Sequence, residues 1–263
     1  MRTASAIAVV ICGLLSVFAA VAATDDVPVR QNADGVITFT NAPGGDVASW
    51  TFRTTRSGRY HLRIHATDEV ARDSVRVSLT LGDRVQHARH GERIDVPREG
   101  ELTVRLIEGR PDTVQRIELY PAPEGDPIVQ SSDRSITLHA RDATIHGTRL
   151  RFERDPKKNT LGYWTQATDW ASWDFIVKEG GQFIIFAMQG APGGGSQVDV
   201  VCAGQTLKWT VADTGSFHTF TFVELGRVTL DQPGEYTLAV KPQRKAGVAV
   251  MDLRQIILVP VLP

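Results

Sequence analysis

Apolar and polar residues alternate with a period of two over short stretches along most of the chain. Leu102, Val104 and Leu106 form one such run, and Trp173, Phe175 and Val177 form a later one. Glycine, proline and aspartate interrupt the pattern at intervals of about 8–12 residues, the spacing of short strands in a β-sandwich. No stretch has the period of a long amphipathic helix. The pattern therefore predicts an all-β protein of antiparallel strands, each with one face in a core.

The chain also contains an internal repeat. Residues 47–66 (VASWTFRTTRSGRYHLRIHA) resemble residues 170–190 (WASWDFIVKEGGQFIIFAMQG), because each segment has a Trp-x-Phe strand, a glycine turn and a second strand. Each sheet must cover its apolar face, so the repeat predicts two tandem β-sandwich domains, one per copy. Further matched segments follow in the same order: 74–84 with 196–206, 100–107 with 234–241, and 116–121 with 255–260.

The predicted domain limits follow from breaks in this pattern. Residues 121–133 (PAPEGDPIVQSSD) are rich in proline and glycine and lose the alternation, so we place a first domain at 24–125 and a second at 126–263. Residues 1–23 begin with Arg2 and continue as an apolar run ending in alanines, which is typical of a signal peptide. The run is about 17 residues long, the short limit for a membrane anchor, which is the alternative. We therefore expect an exported protein, secreted, periplasmic or at the cell surface.

Charge and cysteine content narrow the function classes. The chain has 29 Lys and Arg against 30 Asp and Glu, so no strong attraction to nucleic acid or anionic lipid is expected. Loss of Cys12 with the signal peptide would leave Cys202, which lies in an apolar run and is predicted to be a buried, inert thiol.

The charged residues of the first half are distinctive, because between residues 25 and 125 every Lys or Arg position is arginine. His61, Arg63 and His65 share one strand face there, which suits a metal ion or an anionic group but equally an exposed polar face. The arginine content also fits an acidic glycan such as a sulfated one, although acidic residues balance it.

Aromatic residues concentrate in residues 159–175 (NTLGYWTQATDWASWDF), which hold three of the five tryptophans. Trp173 and Phe175 alternate with Asp174 along a predicted strand and recur as Trp50 and Phe52 in the first copy. These four aromatics are therefore assigned to the shared cores.

Tyr163, Trp164 and Trp170 instead precede that strand, among polar residues typical of a loop, and loops at the end of a sandwich often carry function. One hypothesis is that these rings present their faces to the C–H side of a saccharide. The other is that they roof the sandwich end, where each buried indole N–H needs an acceptor. The candidate polar groups for binding the hydroxyls of a sugar are Asn159, Asp169, Lys241 and Asp252.

Four segments carry a resemblance to a known family: residues 136–146 (ITLHARDATIH), residues 159–175, residues 209–230 (WTVADTGSFHTFTFVELGRVTL) and residues 247–261 (GVAVMDLRQIILVPV). They resemble the carbohydrate-binding-module-like domain attached to exported α-L-fucosidases and sulfatases, a galactose-binding-like jelly roll. The resemblance covers about 136–261. The first half, 27–122, resembles this domain only in its strand pattern.

The resemblance implies a glycan or polysaccharide ligand, bound among loops at one end of the second domain. It also implies an exported glycoside hydrolase or sulfatase as a partner. The matching positions are Tyr163, Trp164, Asp169 and Trp170, with Lys241 and Asp252 as weaker transfers. Many relatives hold a structural calcium between the first and last strands. Here only Asp142 and Asp252 stand at such positions, so no cofactor is expected, and a structural calcium is the less favoured alternative.

The sequence has none of the motifs that mark a catalytic site. It lacks a Gly-x-Ser-x-Gly elbow, a His-Glu-x-x-His pair and a glycine loop for phosphate. We therefore expect a non-catalytic glycan-binding protein. The alternatives are a structural, adhesion or protein-interaction module without a sugar site, and an accessory subunit of a glycan-degrading enzyme.

Overall fold

The computed structural model describes residues 29–41 and 47–261, so the predicted signal peptide lies outside the described residues. Within them the all-β prediction is confirmed, because strands dominate and the one α-helix, α1 (Glu69–Ser74), has six residues. No helix in the described part of the chain is long and apolar enough to cross a membrane.

Nine strands form two facing sheets in the first half. Sheet I has the order β1-β2-β9-β4-β7, and sheet II has the order β3-β8-β5-β6. The strands are β1 (Val29–Gln31), β2 (Ile37–Thr40), β3 (Ser49–Thr54), β4 (Gly58–Ala66), β5 (Arg76–Leu81), β6 (Arg84–Ala88), β7 (Arg93–Val96), β8 (Gly100–Glu108) and β9 (Val114–Ala122).

The second half is built in the same way. Sheet III has the order β10-β15-β20-β17-β18 with β12 also beside β15, and sheet IV has the order β13-β14-β21-β16-β19 with β11 also beside β21. The strands are β10 (Ile128–Val129), β11 (Ile136–His139), β12 (Thr144–His146), β13 (Arg151–Glu153), β14 (Thr160–Gly162), β15 (Trp170–Val177), β16 (Gly181–Gly190), β17 (Gln197–Cys202), β18 (Gln205–Thr210), β19 (Thr221–Leu230), β20 (Gly234–Arg244) and β21 (Asp252–Pro260).

The matched sequence segments occupy equivalent strands. The order β3-β8-β5-β6 in sheet II corresponds to β15-β20-β17-β18 in sheet III, and β9-β4-β7 in sheet I corresponds to β21-β16-β19 in sheet IV. One pairing departs from the antiparallel prediction, because β10, inside the predicted linker region, pairs with β15 in parallel. The domain limits themselves stay a prediction.

Each half has its own hydrophobic core, and equivalent tryptophans occupy the two cores. Trp50 is buried in the first and its indole N–H donates to the carbonyl of Thr40 at 3.1 Å. Trp173 is buried in the second and donates to the carbonyl of His139 at 2.7 Å. The assignment of these two tryptophans to cores is confirmed. Cys202 is also buried in the second core, and burial raises the pKa of its thiol to about 11.

The two halves contact each other through arginines and backbone carbonyls. The side chain of Arg56 is 2% exposed, and its guanidinium donates to the carbonyls of Ile145 at 3.3 Å and Leu150 at 3.4 Å and to the hydroxyl of Tyr60 at 3.1 Å. Further ion pairs join Arg154 to Glu124 and Asp95, each at 2.6 Å, and Arg151 to Glu99.

Candidate functional site

Trp164 lies inside the second core. Its ring is 0% exposed and its indole N–H donates to the backbone carbonyl of Asp169 at 2.7 Å. The hypothesis that Trp164 presents its ring to a sugar is therefore wrong. The alternative that it roofs the sandwich end describes its surroundings. The indole packs among apolar residues of the second core and excludes water from it, so its ring faces are not available to a ligand.

Asp169 is also buried, and its carboxylate is fully engaged with backbone. Its oxygens accept from the N–H groups of Thr148 at 3.2 Å, Arg149 at 2.8 Å and Leu150 at 2.8 Å. These bonds hold the connection between β12 and β13. The prediction that this carboxylate binds a sugar hydroxyl is not met, since no part of it remains open to a ligand.

Trp170 and Lys241 do come together, but they contact each other. Trp170 lies on the outer face of sheet III, where His146 stacks on its ring at 3.6 Å between centroids and the ammonium of Lys241 lies 4.5 Å from the ring centroid. His146 belongs to β12 and Lys241 to β20, the strands on either side of β15. Both faces of the indole are therefore covered, which leaves no open face for stacking.

His146 completes this row and was not among the predicted site residues. Burial lowers its pKa to about 4, and its Nε2 lies 2.9 Å from the hydroxyl of Ser172. In the sequence His146 is an isolated histidine in a short strand. Its contact with Trp170 depends on the register of β12 against β15, which the sequence pattern does not give.

Asp252 is buried beside a lysine. The ammonium of Lys158 lies 2.8 Å from the Asp252 carboxylate and 3.5 Å from that of Glu153. Burial raises the pKa of Asp252, and the bond from Lys158 opposes that rise. Among the described residues no three His, Cys, Asp or Glu side chains are grouped to hold a metal ion. The carboxylate of Asp142 lies 3.4 Å from Nε of Arg141. The positive charge near Asp252 is supplied by Lys158.

Asn159 and Tyr163 lie on the two sides of β14, and both have left-handed backbones. Asn159 has φ of 47° and its N–H donates to the carbonyl of Asp155 at 2.7 Å, which closes the turn before β14. Tyr163 has φ of 56° and its ring is 49% exposed. The guanidinium of Arg151 lies 3.5 Å from the centroid of that ring and covers one of its faces.

Tyr163 lies at a cleft between the two halves, which we call the Tyr163 cleft. Its volume is about 370 Å³. The charged residues of this cleft precede the aromatic segment 159–175 in sequence. The mixture of basic and acidic residues at 151–155 is the only sequence feature that could have indicated them. The cleft is lined by Ser57 and Pro97 of the first half and by Arg151, Phe152, Glu153, Arg154, Asp155, Lys158 and Tyr163 of the second.

Two depressions on sheet III have similar volumes. One of about 440 Å³ is lined by Asp174, Ile176 and Thr237 among others, and one of about 420 Å³ by Asp199 and Lys208 among others. The aromatic residues that line them are buried or partly buried against the core. The Tyr163 cleft differs from both because a half-exposed ring stands at its side, next to carboxylates and cations.

The seven predicted residues therefore separate into three groups. The first group lies near Lys158 at or beside the cleft and consists of Tyr163, Asn159 and Asp252. The second group, Trp164 and Asp169, is buried. The third group, Trp170 and Lys241, lies on the outer face of sheet III.

The chain is similar to one family model and to several solved structures. A family model described as a domain of unknown function, DUF5077, matches residues 150–260. No curated protein matches the chain. At 15% identity and a TM-score of 0.37, a GH26-CBM35 β-(1,4)-mannanase from Podospora anserina is similar over 49% of this chain and 28% of its own.

Two further solved structures are similar. A family 35 carbohydrate-binding module from Clostridium thermocellum has 12% identity and a TM-score of 0.40, covering 47% of this chain and 97% of the module. An α-L-fucosidase from Vibrio sp. strain EJY3 has 14% identity and a TM-score of 0.34, covering 89% of this chain and 40% of the fucosidase. The chain thus spans less than half of the mannanase and of the fucosidase. At these values the similarity does not assign a ligand.

Proposed function

We propose that this chain is an exported, non-catalytic glycan-binding protein that binds a saccharide in the Tyr163 cleft. The observation that carries the proposal is the half-exposed Tyr163 ring beside a cleft of about 370 Å³ that is lined by carboxylates and cations. A pyranose has an apolar C–H side that packs on such a ring. Sites between domains with a few convergent polar groups are typical places for small ligands.

The Tyr163 ring is held in place before any ligand arrives. The Arg151 guanidinium covers one face of the ring and is itself paired with Glu99. The Tyr163 carbonyl accepts from the N–H of Thr165 at 2.7 Å, which supports the left-handed backbone. A ring fixed in this way loses little conformational entropy on binding. The face opposite Arg151 is the one that a sugar would contact.

The charged residues of the cleft supply both kinds of hydrogen-bonding partner. Lys158 and Arg154 carry donors, whereas Glu153 and Asp155 carry acceptors. A sugar hydroxyl both donates and accepts, so a mixed set suits it better than a set of one charge. Because these groups are solvated or paired before binding, the net gain is modest, and we expect a dissociation constant on the order of 0.1–1 mM.

The test is a Tyr163→Ala variant of the full chain, measured on a glycan array and by affinity electrophoresis in soluble polysaccharides. We expect at least a roughly tenfold loss of affinity, since the ring contact is worth about 1.5 kcal/mol. Phe222→Ala is the matched control, because Phe222 is 48% exposed on β19 and does not line the cleft.

The controls separate two failures. If the parent chain retains no glycan on the array, the proposed function is wrong. If a glycan is bound but Tyr163→Ala weakens it no more than Phe222→Ala does, the site lies elsewhere.

A structural, adhesion or protein-interaction module is the alternative. Its support is the buried Trp164 ring and the covered faces of Trp170, which act as packing. Absence of any glycan binding by the parent would favour it. Association with an exported glycoside hydrolase or sulfatase is the less favoured third proposal.

A further inference from the structure

The outer face of sheet I carries most of its charge as arginine. Along β4 the residues Leu62 and Ile64 point into the first core, so the alternate residues point outward. The register places Arg63 opposite Glu118 and places His61 opposite both Tyr120 and Arg93. We call this surface the arginine face. It consists of Arg30, Arg59, Arg63, Arg93 and Arg116 with His61, His65, Glu118, Tyr120 and Asp95.

Glu118, near the middle of this face, is already satisfied by its neighbours. One oxygen lies 2.7 Å from Nε2 of His65 and accepts from the Tyr120 hydroxyl at 3.2 Å, while the other lies 3.2 Å from Nε of Arg116. Burial opposes ionisation, but the bond from His65 and the charge of Arg116 outweigh it, so the pKa of Glu118 is lowered. Its carboxylate is therefore paired with Arg116 and bonded to His65 and Tyr120, and Arg63 is not among its bonded partners.

Arg63 and Arg93 are the arginines with open donors. The Arg63 guanidinium lies 3.9 Å from the centroid of the Tyr120 ring, which fixes its position. Within residues 29–41 and 47–261, the side chains of Arg63 and Arg93 form no hydrogen bond or ion pair. They are diagonal neighbours on β4 and β7, so their Cα atoms are about 7–8 Å apart.

The charge of this face contrasts with that of the chain. The face has five arginines against two carboxylates, Glu118 and Asp95, while the chain as a whole has a net charge of −1. The outer face of sheet II, on the other side of the same core, instead mixes Arg53 and Arg105 with Glu101 and a row of threonines. The basic character therefore comes from placement and not from composition.

We infer that the arginine face binds an acidic polysaccharide through its sulfate or carboxylate groups, with Arg63 and Arg93 as the main contacts. A guanidinium pairs with either group through two parallel hydrogen bonds. Tyr120 and His61 add an aromatic edge and further hydrogen-bonding groups between the charges. This inference does not depend on sugar binding at Tyr163.

The interleaved carboxylates favour a polysaccharide over nucleic acid. Double-stranded DNA carries a charge about every 1.7 Å along its axis, so its backbone would pass close to Glu118 and Asp95. An acidic polysaccharide carries its charges farther apart, on single sugar units. The face also adjoins the Tyr163 cleft, because Arg154 lines that cleft and pairs with Asp95 at 2.6 Å.

The test compares the Arg63→Gln/Arg93→Gln double variant with the parent on dextran sulfate, polygalacturonate, unmodified dextran and double-stranded DNA at low salt. We expect the parent to bind the sulfated or the carboxylated polymer more tightly than DNA. We expect the double variant to lose roughly tenfold in affinity, because two charged contacts are removed and each exposed contact contributes modestly. Raising the salt should reduce the parent's affinity more steeply than the variant's.

The matched control is Arg53→Gln/Arg105→Gln, which removes the same charge from two exposed arginines on sheet II. The inference fails if both double variants lose the same affinity, if the parent binds DNA as tightly as either acidic polymer, or if it binds neither polymer. Retention of array glycans by Arg63→Gln/Arg93→Gln, together with their loss in Tyr163→Ala, would show that the two sites are independent.

Discussion

At the scale of single residues, the tryptophans illustrate how a buried indole is satisfied. Trp50, Trp164 and Trp173 are all buried. Each donates its indole N–H to a backbone carbonyl at 2.7–3.1 Å. A buried indole thus both fills the core and ties a strand to a neighbouring loop or strand. Trp164 ties the loop before β15 in this way, because its acceptor is the carbonyl of Asp169, the residue before that strand.

We predict that Trp164→Ala lowers the free energy of unfolding by about 3–5 kcal/mol, the usual cost of emptying a large aromatic site in a core. The melting temperature should fall on the order of 10 °C. Urea denaturation and thermal melting check the value. Tyr163→Ala is the control from the adjacent position, where we expect less than about 1 kcal/mol because the ring is half exposed. Equal melting of the two variants would contradict the burial of Trp164.

At the scale of elements, a row of side chains crosses sheet III. His146 on β12, Trp170 on β15 and Lys241 on β20 stand side by side, and Asp199 on β17 continues the row beside Lys241. Antiparallel register alone brings these residues together, since each lies on a different strand. The row stabilises the sheet and also explains why the Trp170 ring has no open face.

The same row predicts a pH dependence of stability. Burial is the main cause that lowers the pKa of His146 to about 4. The positive charges of Arg56 and Lys241 lower this pKa further, whereas the negative charges of Asp34 and Asp174 raise it. The unfolded chain binds this proton near pH 6.5, but the folded chain resists it until about pH 4. Stability should therefore be complete above about pH 6.5 and should fall as the pH decreases toward 4.

The measurement is urea denaturation between about pH 7.5 and pH 5, the range in which histidine titrates. A His146→Gln variant should lose part of the parent's decline over that range, whereas the exposed His218→Gln control should keep it. An unchanged slope in His146→Gln would show that this histidine does not set the dependence.

At the scale of the whole molecule, the two halves are joined by a buried arginine without a carboxylate partner among the described residues. Arg56 donates to the carbonyls of Ile145 and Leu150. Leu150 lies in the connection between β12 and β13, and its N–H donates to the carboxylate of Asp169. The interface therefore depends on a loop geometry that is set within the second half. The Tyr163 cleft depends on the same interface, because its wall includes Ser57 and Pro97.

We predict that Arg56→Met lowers the free energy of unfolding by about 2–3 kcal/mol, because three buried acceptors lose their donor. Hydrogen exchange should also become faster at residues 145–150. Arg53→Met, an exposed arginine on β3, is the control and should change little. If Arg56→Met unfolds like the control and exchange at 145–150 is unchanged, the arginine does not hold the interface.

The sequence by itself determined the all-β class, the equivalence of the strands in the two halves and the burial of Trp50, Trp173 and Cys202. These features depend on alternation along a strand, which is local and visible in the order of residues. Tyr163, Trp164 and Trp170 lie within eight residues, yet one faces a cleft, one the core and one a sheet surface. No periodicity governs that segment, and the left-handed backbone at Tyr163 changes the direction of the chain.

Only the tertiary structure decided which rings are open and which charges meet. The Tyr163 cleft needs residues from both halves, and the arginine face needs the register of β4 with β7 and β9. Such contacts join residues that are tens of positions apart in the chain. Their distances follow from strand pairing and from the docking of two cores, neither of which the local pattern of residues contains.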